Sequence, residues 1–139
     1  MTDSSTVLII DDEDDFRQGI AELLLHHGYT VLVASDGTEG LEMIARFRPD
    51  LIVLDMLMPR LSGFAVLERV KLHLRLQTPV VMLTGNSADQ QESYAKILGV
   101  DAFLLKPISS VTLCKTIENL VANRVKTTEV NPNVPSAKL

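Results

Sequence analysis

Cysteine is almost absent from this sequence. Cys114 is the single one in 139 residues, so neither an internal disulfide nor a multi-cysteine zinc or iron–sulfur site can form. That scarcity fits a reducing compartment and predicts a cytoplasmic protein. A basic excess is absent too: 13 Lys and Arg stand against 18 Asp and Glu, a net charge of −5. Such a chain has no electrostatic footprint for direct nucleic-acid binding. Long apolar runs are missing. Val7–Ile10 is short and leads into acids, unlike a signal peptide, and no run approaches a membrane span. No GxxxxGK[ST] pattern occurs, which excludes a P-loop. Gly37 and Gly40 form only a GxxG, without the first glycine pair of a dinucleotide fingerprint.

What remains is an ordinary globular balance, 46% hydrophobic and 22% charged, in the length of one domain. Short apolar runs alternate with longer amphipathic stretches. Val7–Ile10, Thr30–Ala34, Leu51–Leu54, Val80–Leu83 and Ala102–Leu105 read as strands. Phe16, Ile20, Leu23, Leu24 and His27 recur at helical spacing, and Gly28 stands where a C-cap glycine belongs. Asp36 and Glu39 resemble a capping box ahead of Leu41, Ile44 and Ala45. Phe64, Leu67, Val70, Lys71 and Leu74 mark a helix that ends before Pro79. Residues 88–98 read as a polar-faced helix closed by Gly99. Ser109 caps a last helix with Leu113, Ile117, Leu120 and Val121 inward. Phe47 and Phe64 read as core.

Five strand–helix units imply a doubly wound, flavodoxin-like α/β sandwich, with five parallel strands in the order 2-1-3-4-5. The folded domain is expected over residues 5–124. Residues 125–139, with Asn131, Pro132 and Pro135, read as a flexible tail or the start of a linker.

In such a sheet ligands bind beyond the carboxyl ends of the strands. After strand one come Asp11 and Asp12, after strand three Asp55, after strand four Thr84, and after strand five Lys106. Three carboxylates, a hydroxyl and an ammonium therefore converge at one edge. Crowded carboxylates repel unless a cation joins them, and oxygen ligands with room for waters suit Mg²⁺. Such a set can position a phosphoryl group and stabilise its charge, with a carboxylate as nucleophile.

Asp11 and Asp12, Asp55 followed by Met58 and Pro59, Thr84 with Gly85, and Lys106 with Pro107 together resemble the signature of response regulator receiver domains. The resemblance runs from about Thr6 to Arg124 in the right order. It implies that Asp55 accepts a phosphoryl group from a sensor histidine kinase or a histidine phosphotransfer protein. It implies Mg²⁺ on Asp12, Asp55 and the backbone carbonyl of Leu57, with Asp11 acting through water. Thr84 and Phe103 fall on the family's switch pair, and Lys106–Pro107 on its cis peptide. Leu57 and Asn86 flank the site, where they would tune loss of the phosphoryl group. The responding surface would be the fourth helix, fifth strand and fifth helix, offered to a protein partner or to a second copy. Phe103 replaces a common tyrosine, and Ile108 follows Pro107 where phenylalanine is commoner.

Other readings are weaker. A haloacid-dehalogenase-like phosphatase resembles D-x-D-x-T, but Met56 and Leu57 follow Asp55 and the second acid is missing. A receiver-like binding module without phosphorylation would not require the whole acid–threonine–lysine set. Asp14 and Asp15 suit a helix N-terminus, His26 and His27 a helix C-terminus, and Cys114 packing in the last helix.

Overall fold

A strand such as Leu51–Leu54 is apolar on both faces and needs cover on both, which a parallel sheet between two helical layers supplies. The computed structural model describes residues 4–85 and 89–130, the side chains of 89 and 125–130 excepted. The elements follow one another as β1 (Thr6–Ile10), α1 (Asp14–His26), β2 (Thr30–Ala34), α2 (Gly37–Phe47), β3 (Leu51–Asp55), α3 (Gly63–Glu68), β4 (Val80–Thr84), α4 (Asp89–Ile97), β5 (Ala102–Leu105) and α5 (Ser110–Val130). All strand pairs are parallel, and the order is β2-β1-β3-β4-β5, as the alternation of runs implies.

Strand side chains alternate between the two faces. Leu8, Ile10, Ile52, Leu54 and Met82 pack with Ile44, Val66, Leu67 and Ala95. Val7, Ile9, Leu51, Val53, Val81 and Leu83 pack with Ile20, Leu24, Leu113 and Ile117. The cover is therefore α2, α3 and α4 on one face and α1 and α5 on the other. Each fully buried side chain of this size contributes about 1.5–3 kcal/mol.

The helix ends obey local chemistry. Asp36 caps α2 by accepting the Glu39 N–H at 2.8 Å. The Glu39 carboxylate accepts from the Ser35 N–H and hydroxyl, at 2.8 and 3.0 Å, one residue earlier than a strict capping box places it. Ser109 accepts the Thr112 N–H at 3.0 Å ahead of α5. Gly28 closes α1 at a φ of 92° that an L side chain rarely adopts.

Three differences from the sequence reading stand out. The helix expected through Leu74 leaves α geometry at Glu68 and continues as a π-helical turn over Arg69–His73, with Leu74 N–H donating to Arg69 at 2.8 Å. Phe47 is 47% exposed rather than core: it is the last residue of α2, where the chain turns through left-handed Arg48, and the Arg46 guanidinium lies 5.3 Å from its ring centroid. The last helix continues past Arg124 to Val130, while residues 131–139 lie outside the described residues.

The register aligns the carboxyl ends. Ile10 lies beside Leu54, so Asp11 is level with Asp55, and Thr84 lies beside Leu105, just before Lys106. Gly63 fixes the chain after β3. Its N–H donates to Met56 O at 2.9 Å, and a Cβ there would collide with the Asp55 carbonyl oxygen and stand 2.8 Å from Met56 Cα. These are backbone atoms that cannot swing aside. Gly63→Ala is expected to cost about 1–3 kcal/mol, as other overpacked sites do, and to displace Asp55. Urea denaturation checks the first expectation and the Asp55 amide resonance the second.

Candidate functional site at the carboxyl edge of the sheet

Each polar residue of the site leaves an apolar strand that fixes where it emerges. Asp55 ends β3 and is buried, and Thr84 ends β4 and is buried. Asp11 follows β1 and is only 2% exposed, its N–H donating to Ala34 O at 3.1 Å. Asp12 is exposed. One carboxylate oxygen from each of Asp11, Asp12 and Asp55 lies within 4.8 Å of the others. Lys106 reaches into this cluster from the end of β5. Its Nζ is 3.2 Å from Asp11 Oδ2 and 3.5 Å from Asp55 Oδ1. The Lys106 N–H donates to Thr84 O at 2.7 Å, which ties the ends of β4 and β5 together, and the Lys106–Pro107 peptide is cis.

The start of α1 is built around Asp11. Asp11 Oδ1 accepts the Glu13 N–H at 2.8 Å. Arg17 donates to the Asp11 carbonyl oxygen at 2.7 Å and to Asp14 at 2.6 Å. Asp14 therefore serves the helix start, as its place in the first turn suggests.

Electrostatics follow from this crowding. Burial pushes the Asp55 carboxyl up to about 6, Asp11 adds to the rise, Lys106 opposes it and Asp12 adds a little more. An ordinary carboxylate would not need relief at neutral pH, but this one does. The donor set is all oxygen, anionic and partly open to water, which fits a small hard divalent cation.

Phe103 is half-buried against the core cluster that contains Met82, its neighbour across the sheet. The Leu57 side chain is 61% exposed beside Asp55. Asn86 lies outside the described residues. The structure thus brings Asp11, Asp12, Asp55 and Lys106 together and places Thr84 at the adjoining strand end. His27 and Cys114 stand apart, at the far end of α1, where His27 Nδ1 is 2.9 Å from Leu23 O and 3.9 Å from Cys114 Sγ. Beside the acidic cluster a groove of about 260 Å³ runs between α1 and the start of α5, lined by Phe16, Ile20, Leu23, Ile108 and Leu113 among others. Phe16 was legible only as a helix core position. Its ring in fact faces Lys106, a contact between residues ninety positions apart that no local pattern signals.

The sequence matches the response regulator receiver domain family over residues 7–118. The chain belongs to that family. This receiver domain is 38% identical over 115 residues to response regulator RR06 of Streptococcus pneumoniae, a match that covers 83% of this chain and 52% of that protein. It spans about half the length of the curated relatives it matches. Among solved structures, chemotaxis protein CheY4 of Vibrio cholerae superposes with a TM-score of 0.80 at 32% identity, covering 85% of this chain and 99% of that one. A CheY-like receiver domain protein of Methanospirillum hungatei gives 0.86 at 26% identity, covering 90% and 99%. Receiver domains are regulatory modules of response regulators. No helix among the described residues is long and apolar enough to cross a membrane.

The raised Asp55 value has a consequence for stability. In the metal-free protein the folded state holds this proton to about pH 6, whereas the ordinary value is 3.8. Between those values the folded state binds more protons than the unfolded one, so stability falls as pH rises through the window, and the loss is complete above it. Asp55→Asn removes the penalty. The variant is expected to be more stable than wild type by about 1–3 kcal/mol at pH 7.5, with the difference shrinking towards pH 4. Paired denaturation curves at the two pH values check it, and millimolar Mg²⁺ should narrow the gap at pH 7.5.

Proposed function

We propose that this chain is a phosphorylation switch in which Asp55 is the phosphoacceptor. The observation that carries the reading is a buried carboxylate at the end of β3 with the Lys106 ammonium 3.5 Å away and two further carboxylates beside it. Nothing structural calls for that combination, since the acids raise each other's cost.

The donor is a phosphohistidine on a sensor kinase or phosphotransfer protein. An Asp55 carboxylate oxygen attacks phosphorus in line. The P–O bond forms as the P–N bond breaks, and the electron pair stays on the imidazole nitrogen, which takes up a proton. Lys106 neutralises charge on the phosphoryl oxygens, where a preorganised ammonium is worth most. Asp12, Asp55 and the Leu57 carbonyl would hold Mg²⁺, with Asp11 acting through water, and the ion would supply charge neutralisation and orientation of the phosphoryl oxygens. Hydrolysis of the acyl phosphate returns the carboxylate, so the domain turns over no external substrate.

The response runs through Thr84 and Phe103. A phosphoryl oxygen draws the Thr84 hydroxyl inward, and half-buried Phe103 fills the space it leaves. Moving a two-state element from 1:99 to 99:1 takes about 5.5 kcal/mol of differential stabilisation. A hydrogen bond from Thr84 to a charged oxygen supplies about 1.5–3 kcal/mol. Lys106 and the cation share the rest, or the shift is partial. The changed surface is α4, β5 and α5, where Tyr94, Ile97, Leu105 and Val111 are exposed. A protein partner, or a second copy of the chain, reads it there.

Two outcomes follow. Incubation with a small acyl phosphate such as acetyl phosphate and Mg²⁺ is expected to add one phosphoryl group, mapped by reductive trapping and mass spectrometry to Asp55. Asp55→Asn should take up none, and uptake at an unchanged level in that variant defeats the reading. Beryllofluoride, a mimic of the phosphoryl group, should shift amide resonances out to Phe103 in wild type. In Thr84→Ala the shifts should stay near Asp55.

A further inference from the structure

Lys106 is held from three sides, and only two of them are acidic. Its Nζ lies 3.2 Å from Asp11 Oδ2 and 3.5 Å from Asp55 Oδ1. On the third side the Phe16 ring stands with its centroid 4.0 Å from Nζ. That is close for a cation over an aromatic face, and the side chain of Lys106 is only 19% exposed, so the attraction is little screened.

We infer that Phe16 is a positioning residue: its ring fixes the Lys106 ammonium at the point where it meets the phosphoryl group. The inference rests on the phosphoacceptor reading of Asp55. A lysine carries its charge on a flexible stem with freely rotating donors. Asp11 and Asp55 alone would draw it deep into the metal-free cluster, and phosphorylation moves the Asp55 charge outward onto the phosphoryl oxygens. The ring offers an attraction that does not change when Asp55 is modified.

The ring is placed firmly enough for this. Phe16 lies in the first turn of α1 and packs against the core cluster under that helix. The same turn is tied to Asp11 by Arg17 Nη1 on the Asp11 carbonyl oxygen, at 2.7 Å, and by the Glu13 N–H on Asp11 Oδ1, at 2.8 Å. One short segment therefore sets the carboxylate on one side of Lys106 and the ring on another. Packing alone would be met equally by leucine, which has no π face.

The test uses the full chain with Phe16→Leu, which keeps the apolar bulk, and Phe16→Tyr, which keeps the π face. In metal-free protein, the Lys106 side-chain proton resonances are expected upfield in wild type and Phe16→Tyr, from the ring current, and near ordinary lysine positions in Phe16→Leu. With acetyl phosphate and Mg²⁺, Phe16→Leu should be phosphorylated roughly 3- to 10-fold more slowly, the factor a partly desolvated cation–π contact supplies. Phe16→Tyr should stay within about twofold of wild type, since tyrosine keeps the attraction. The Phe16→Leu effect should vanish in a Lys106→Met background, because the ring acts only through the ammonium. Unshifted Lys106 resonances in wild type, or an equal slowing with and without Lys106, would overturn the inference. A wild-type chain that takes up no phosphoryl group at all would instead defeat the phosphoacceptor reading, and the resonance comparison would still decide the place of the ring.

Discussion

Mutual repulsion among Asp11, Asp12 and Asp55 is the constraint around which this edge of the molecule is arranged. Strand register brings Asp11 level with Asp55, and Asp12 follows in the loop after β1, so one oxygen of each lies within 4.8 Å of the others. Burial of Asp55 sharpens the conflict, which is why its carboxyl is pushed up to about 6. Lys106 offsets part of it, and a hard cation would offset more. A phosphoryl group on Asp55, as proposed, would bring further negative charge into the same place and would need ammonium and cation already aligned to hold it. The fold thus holds an unfavourable arrangement that a bound cation would relieve, and in the proposed switch the contacts of the phosphoryl group with Lys106 and Thr84 would drive the conformational change.

The rest of the structure keeps the conflict in place. Two apolar layers clamp the sheet, so the strand ends cannot drift. Gly63 lets α3 approach the Asp55 backbone closer than any side chain would allow. The Lys106 N–H to Thr84 O bond joins the lysine to the end of β4, where the hydroxyl of the proposed switch stands. Lys71 plays the matching part at the opposite edge. Its ammonium donates to Asp101 at 2.9 Å and to Thr78 O at 2.8 Å, while Asp101 also accepts the Val80 N–H, which anchors the entry to β4.

Much of this was legible in the sequence because the signals are local. Fully apolar runs ending in acids announce parallel strands and a strand-end site, and the alternation of elements leaves few ways to wind them. The order and spacing of Asp11, Asp55, Thr84 and Lys106 carried the family resemblance. What escaped was non-local or depended on helix ends. The π-helical turn at Arg69–His73 keeps the apolar spacing of an ordinary helix over most of its length. Phe47 has a core residue's chemistry but sits where α2 runs out. The Phe16 ring over Lys106 joins two residues whose own neighbourhoods give no hint of each other, and Gly63 is ordinary until the Asp55 backbone is seen against it.

The most direct measurement is the titration of the Asp55 side-chain carboxyl carbon by NMR, without and with Mg²⁺. The expected result is a midpoint near 6 in metal-free protein, moving down once the ion is present, because the cation offsets the burial and the neighbouring carboxylates that raise it. A midpoint in the ordinary carboxylate range, unmoved by Mg²⁺, would contradict the picture of a carboxylate cluster under strain and remove the physical basis of the switch.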